Sequence, residues 1–228
     1  MYRLQDGIEF LKSLPDKSVD GIFTDPPWLM KSAYHDKKYG QHRGMRIQGQ
    51  ENWESLITQM TDEGARVLNP ETGRCFIWLG MASLARALRA INSLEYRFMF
   101  FCYYIPPRYV AGFECSMDPI LYLAPASAKW INMRKGERRI RALYQHYSTG
   151  GKDTMHPCAR PFKSVKDILK DLFKPGEYIV DPFAGSDTTG VAARSLTLKW
   201  DCCEIDPKMY ETGLERHKQG FLFEKFSP

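Results

Sequence analysis

The sequence predicts a layered α/β domain built around a mostly parallel sheet of about seven strands. Two observations carry this expectation. Short apolar runs rich in β-branched and aromatic residues alternate with amphipathic stretches from end to end, and two of the runs stop at polar turns containing Pro or Gly. At 228 residues, 43% hydrophobic and 26% charged, the chain is long enough for one well-filled core, so a single domain over 1–228 is expected.

Taken in order, Tyr2–Gln5 predicts the first strand and Gly7–Leu14 a helix behind it. Val19–Thr24 predicts the second strand, Glu51–Leu68 a helix, Cys75–Gly80 the third strand and Ser83–Leu94 a helix. Tyr96–Tyr104 and Asp118–Leu123 predict two more strands. In Ser164–Phe173, Val165, Ile168, Leu169 and Leu172 fall on one helical face, and Pro175-Gly176 stops the helix. Tyr178–Asp181, a helix over Thr188–Leu196, the strand Lys199–Glu204 and a helix over Lys208–Lys218 complete the alternation.

Two stretches break the pattern. Residues 29–50 predict a long basic loop with Lys31, Lys37, Lys38, Arg43 and Arg46 among aromatic residues and histidines. Within a region of about 105–155, a second basic run carries Arg134, Lys135, Arg138, Arg139 and Arg141. Each is compatible with a solvated surface and with a polyanion-binding patch. The whole chain leans the same way, with 32 Lys and Arg against 27 Asp and Glu. The longest apolar runs are far shorter than a membrane span, which predicts no membrane association and a cytoplasmic protein. Six cysteines without C-x-x-C spacing and five scattered histidines predict buried thiols and no metal site.

The second strand runs directly into Asp25-Pro26-Pro27-Trp28. Consecutive prolines fix φ and remove two backbone donors, leaving a stiff rim of acceptors at a strand's carboxyl end, where open α/β sheets bind ligands. Such a rim can accept both protons of an aromatic amine, freeing its lone pair, while Trp28 stacks on the ring. The tetrapeptide is equally compatible with plain turn punctuation.

Near the C-terminus, Asp181-Pro182-Phe183-Ala184-Gly185-Ser186-Asp187-Thr188-Thr189 joins a strand to a helix start. Gly185 permits close backbone approach, and the free amides of the helix start suit a carboxylate. About twenty residues on, Glu204 and Asp206 end the next strand, where nucleotide-binding folds grip ribose hydroxyls. Taken alone, the turn is also compatible with a well-capped helix, and His156, next to Pro157, with a structural role.

These motifs, in this order, resemble the permuted β-class of DNA amino-methyltransferases that modify adenine N6 or cytosine N4. The resemblance covers most of the chain outside about 105–155 and includes the segment from His156-Pro157 to Arg160-Pro161. It implies a Rossmann-like, S-adenosylmethionine-dependent methyltransferase fold with circularly permuted motif order, and direct in-line methyl transfer to a flipped base. Asp25, Pro26, Pro27 and Trp28 would then be catalytic. The cofactor, S-adenosylmethionine, would be held by Asp6, His156, Arg160, Asp181, Phe183, Gly185, Ser186, Asp187, Thr188, Thr189, Glu204 and Asp206. The basic residues named above would bind nucleic acid, with 29–50 as a substrate loop and about 105–155 as a small target-recognition insertion.

Asp at the head of the first motif is similar to the adenine branch, which favours DNA adenine N6. RNA adenine N6, DNA cytosine N4 and an inactive nucleic-acid-binding subunit stay open as alternatives, and a homodimer or partner subunit would supply further surface. Two positions depart from the family pattern: Asp187 replaces a glycine, and Arg160 stands where Lys is frequent.

Overall fold

A computed structural model of the chain describes residues 1–27, 52–110, 113–131, 140–147 and 160–226. The elements run β1 (Tyr2–Leu4), α1 (Gly7–Ser13), β2 (Gly21–Thr24), α2 (Trp53–Val67), β3 (Arg74–Trp78), α3 (Leu84–Ala90), β4 (Glu95–Val110) and β5 (Phe113–Ala124). They continue with β6 (Leu143–Tyr147), α4 (Phe162–Leu172), β7 (Tyr178–Asp181), α5 (Thr188–Ser195), β8 (Lys199–Glu204) and α6 (Pro207–Phe226).

All eight strands lie in one sheet, ordered β1-β8-β7-β2-β3-β5-β4-β6. The half from β1 to β3 is parallel throughout. β5 alone runs against both its neighbours, and β6 returns parallel to β4 at the edge.

Period-two alternation divides the apolar side chains between the two faces of the sheet. Ile22 and Ile77 pack with Leu11 of α1, Ile57 and Met60 of α2 and Ala87 of α3. Their strand neighbours Phe23 and Phe76 face the other way, onto Val165, Ile168 and Leu169 of α4 and Ala192 of α5. Burying each such side chain contributes about 1.5–3 kcal/mol before the entropy of ordering is subtracted. The α4 face read from the sequence is the buried one. Among the described residues, no helix is long and apolar enough to cross a membrane.

The structure departs from the sequence reading in three places. β4 continues past Tyr104 and β5 begins before Asp118, making one long antiparallel hairpin. Pro106 and Pro107 masked this, because proline cannot donate to a ladder; here they fall where the register shifts between Tyr103 and Arg108. β6 was not foreseen: Leu143–Tyr147 lies within the stretch read as an insertion, yet pairs with β4. Val19 forms only an isolated bridge with Leu68, and β2 starts at Gly21.

Candidate active site

Four acidic residues mark the carboxyl ends of four adjacent parallel strands. Asp6 follows β1, Glu204 ends β8, Asp181 ends β7 and Asp25 follows β2. Neighbouring strands lie about 4.8 Å apart, so motifs separated by more than 150 residues in the chain meet on one rim. The Thr24 hydroxyl on β2 donates to Asp181 Oδ1 on β7 at 2.7 Å, tying the two motif-bearing strand ends together.

On the β2 side, Asp25 is 28% exposed and receives Arg160 through Nε at 2.8 Å and Nη2 at 3.2 Å. The third guanidinium nitrogen, Nη1, donates to Asp118 Oδ2 at 3.1 Å and to the Tyr104 hydroxyl at 3.3 Å. The guanidinium lies over the Trp78 ring at 4.6 Å, and Trp78 Nε1 also donates to Asp118. One buried cation is thus shared by two carboxylates. Burial pushes the Asp118 carboxyl up to about 6, against the pull of Arg160. The Pro27 carbonyl is taken by Trp53 Nε1 at 2.6 Å, anchoring the proline pair to α2.

On the β7 side, Asp181 is 2% exposed and staples its own turn, accepting from the Phe183 amide at 3.0 Å as well as from Thr24. Thr189 also hydrogen-bonds to it, and burial pushes its carboxyl up to about 7. Glu204 bridges the neighbouring strand end to the turn, accepting from the Gly185 amide through Oε2 and the Asp206 amide through Oε1, each at 2.8 Å. Burial raises its carboxyl above the ordinary range.

Asp6 and Asp206 cap α1 and α6, each accepting two amides of the first turn. Gly185 and Asp187 both adopt left-handed φ, 55° and 53°. Asp187 is buried, with its oxygens on the Gly190 amide and His217.

The residues predicted from the sequence therefore fall into four groups. Asp25, Pro26 and Pro27 sit beside the turn that carries Asp181, Phe183, Gly185, Ser186, Thr188 and Thr189, flanked by Asp6, Glu204 and Asp206. Of two others, Arg160 holds Asp25 and Asp118, and the Asp187 carboxylate is directed into the protein. Arg141 is engaged by Asp171 of α4 at 2.9 Å and lies over the Tyr144 ring. Trp28, Lys31, Lys37, Lys38, Arg43, Arg46, Arg134, Lys135, Arg138, Arg139 and His156 lie outside the described residues.

Trp53, Trp78, Tyr104, Asp118 and His217 escaped the sequence reading. Only Asp118 left a signal, as an acid opening an otherwise apolar strand.

A mostly parallel sheet with a glycine turn among acidic strand ends defines the Rossmann-like fold of S-adenosylmethionine-dependent methyltransferases, here with the Asp-Pro-Pro strand preceding the glycine-turn strand in the chain. Residues 120–215 match the family model described as DNA methylase. The chain is 35% identical to the DNA adenine methyltransferase YhdJ of Escherichia coli K12, over 92% of this chain and 80% of that protein.

It is also similar to the Type II methyltransferase M.HinfI of Haemophilus influenzae, at 22% identity over 94% of this chain and 67% of that one. The fold superposes on M1.HpyAVI in complex with S-adenosylmethionine with a TM-score of 0.70 at 21% identity, covering 95% of this chain and 98% of that one. It superposes equally on the cytosine-N4-specific PvuII DNA methyltransferase, with a TM-score of 0.70 at 16% identity over 94% and 85% of the two chains. The chain belongs to the DNA methylase family.

Proposed function

We propose that this protein methylates the exocyclic N6 amino group of adenine in DNA, with S-adenosylmethionine as cofactor. The observation that carries the proposal is the meeting of the Asp25-Pro26-Pro27 rim with the Gly185 turn on adjacent strand ends, joined through Thr24 and Asp181. The residues present fit the cofactor. Among the described residues, a side chain at Gly185 would meet nothing within 4 Å, and the acidic ends of β8 and β1 flank the turn. Asp6, Phe183, Ser186, Thr188 and Glu204 are the residues that would hold it, with His156 in support. When bound, it supplies a methyl group on a positively charged sulfur.

The chain's own residues prepare the amine. The lone pair of an aromatic amine is delocalised into its ring, and accepting both N–H protons in hydrogen bonds releases it. The Asp25 carboxylate accepts one. Because Trp53 occupies the Pro27 carbonyl, the Pro26 carbonyl is the second acceptor. Trp28 provides the stacking face for a base turned out of the duplex. Catalysis is orientation and acceptor placement, without a covalent enzyme intermediate.

In this reading, residues 29–50 and the basic run within 105–155 grip phosphates, and a homodimer or partner subunit adds DNA-facing surface. Adenine is favoured by the Asp at the head of the motif and by the adenine activity of the relative at 35% identity.

The test is a product analysis. The protein is incubated with labelled S-adenosylmethionine and separate DNA and RNA pools, which are digested to nucleosides and identified by mass, with Asp25→Ala as control. N6-methyldeoxyadenosine from DNA, absent with the variant, is the expected result. N4-methyldeoxycytidine, or product from RNA alone, would replace the base or substrate assignment, and no product would favour an inactive binding subunit.

A further inference from the structure

The turn that carries Gly185 is braced from behind by the C-terminal helix, at a residue where most side chains are strained. Asp187 has φ 53° and ψ 47°, and its side chain is wholly buried. A left-handed backbone is disfavoured for residues with a Cβ, Asp and Asn bearing it better than most. A buried carboxylate is costly without partners. Both liabilities fall on one residue of the turn, and the structure supplies compensation for both.

Oδ1 of Asp187 accepts from the Gly190 amide at 2.9 Å, capping α5. Oδ2 lies 2.5 Å from His217 Nε2 on α6. The imidazole is itself fixed, stacked on the Trp200 indole with centroids 5.0 Å apart and planes 8° from parallel. Arg216, the residue before it, donates to the Thr188 hydroxyl, and the Tyr2 hydroxyl donates to the Gly185 carbonyl. Gly185, Asp187 and Thr188 of the turn are thereby each held by a side chain from β1 or α6.

Asp187 faces other titratable groups besides His217. The Asp187 charge pushes the Asp181 carboxyl, the Tyr2 hydroxyl and the Cys202 thiol up and counters the lowering of Arg216 by burial, and the Cys202 thiol also hydrogen-bonds to Asp187. His217 is the group that meets the carboxylate oxygen head-on. No contact of His217 with Asp25 or its Arg160 network appears among the described residues, so its action on the turn is separable from the acceptor site.

We infer that His217 is a positioning residue for the cofactor turn: it holds Asp187 in its left-handed, inward conformation, and so sets the shape that residues 185–188 present to S-adenosylmethionine. The inference rests on the proposed role of that turn.

The experiment is a double-mutant cycle read by calorimetric titration with S-adenosylhomocysteine, with thermal melts on every variant. His217→Ala is expected to weaken binding by about tenfold while the protein remains folded. His217→Gln, whose amide nitrogen can reach the same oxygen, should retain most of the affinity. In an Asp187→Gly background, His217→Ala should cost far less than in the wild type, because there is no carboxylate left to hold.

Additive losses in the cycle, or an unchanged affinity in His217→Ala, would overturn the inference while leaving the proposed function standing. Wild-type protein that fails to bind S-adenosylhomocysteine would overturn both. If His217→Ala does not fold, the Gln variant decides: affinity close to wild type supports the inference, and affinity lost with an unchanged melt overturns it.

Discussion

Arg160 grips both carboxylate oxygens of Asp25, Nε to Oδ2 at 2.8 Å and Nη2 to Oδ1 at 3.2 Å. A bidentate fork fixes the plane of the carboxylate, and a carboxylate has lone pairs for further donors as well. Asp25 is thus presented as a hydrogen-bond acceptor in a set orientation, and Asp118 with Trp78 keeps the fork in place from behind.

Replacing Arg160 with Met should therefore damage turnover more than cofactor binding. The change leaves Asp25 and Asp118 without their shared cation. Misplacement of the acceptor is expected to slow methyl transfer by about a hundredfold, and loss of the buried partner to lower stability by about 3–5 kcal/mol. Arg160→Lys keeps the charge but not the fork and should fall between Met and wild type. Single-turnover rates set beside S-adenosylhomocysteine affinities decide the matter. An equal loss in both would place Arg160 on the cofactor, as the sequence motif alone suggested.

Asp181 gives the folded protein a pH dependence of definite sign. Burial holds its carboxyl protonated up to about 7, whereas its ordinary value is 3.8. Between those values the folded state carries a proton that the unfolded chain has lost, so raising the pH favours unfolding. The slope approaches about 1.4 kcal/mol per pH unit and flattens above the folded value. Asp181→Asn cannot lose that proton, and its amide oxygen can still accept from Thr24 and Phe183. Its stability relative to wild type should rise as pH increases from 4 to 7. Denaturant melts at several pH values test this, and parallel curves for the two proteins would contradict it.

The sequence made the strand-end chemistry visible because Asp25-Pro26-Pro27 and the Gly185 turn are continuous strings whose local geometry follows from proline and glycine alone. It also placed the faces of α4 correctly, since Val165, Ile168, Leu169 and Leu172 repeat at helical spacing. What stayed hidden depends on pairing between distant segments. Leu143–Tyr147 is too polar to announce a strand until β4 offers it an edge. Asp118 gains its meaning only when the β5 reversal brings it to Arg160, and His217 only when α6 lies behind the turn.

Gly7 marks a close approach of the α1 start to the Pro182-Phe183 turn. A Cβ there would fall against the Pro182 carbonyl and within 2.8 Å of the Phe183 ring. In an ordinary helix, Gly→Ala would stabilise by about 1 kcal/mol. Here the added methyl must push the turn away from β1, so Gly7→Ala is expected to weaken S-adenosylhomocysteine binding by about tenfold. The fold should persist on the buried Phe10 and Leu11 of the same helix. A variant that melts higher and binds the ligand as well as wild type would show that this contact does not shape the site.

Trp53 extends the same logic to the acceptor rim. Its indole nitrogen donates to the Pro27 carbonyl at 2.6 Å, and its ring is 1% exposed. Two prolines make the rim stiff but do not fix its angle to the sheet; the hydrogen bond from α2 does. Trp53→Phe keeps much of the apolar volume and strands one carbonyl, at a cost of about 1–3 kcal/mol in stability. If the bond also orients Asp25 and Pro26, single-turnover methyl transfer should fall by more than the folded fraction does. A rate that tracks the folded fraction alone would make Trp53 a core residue with no hold on the rim.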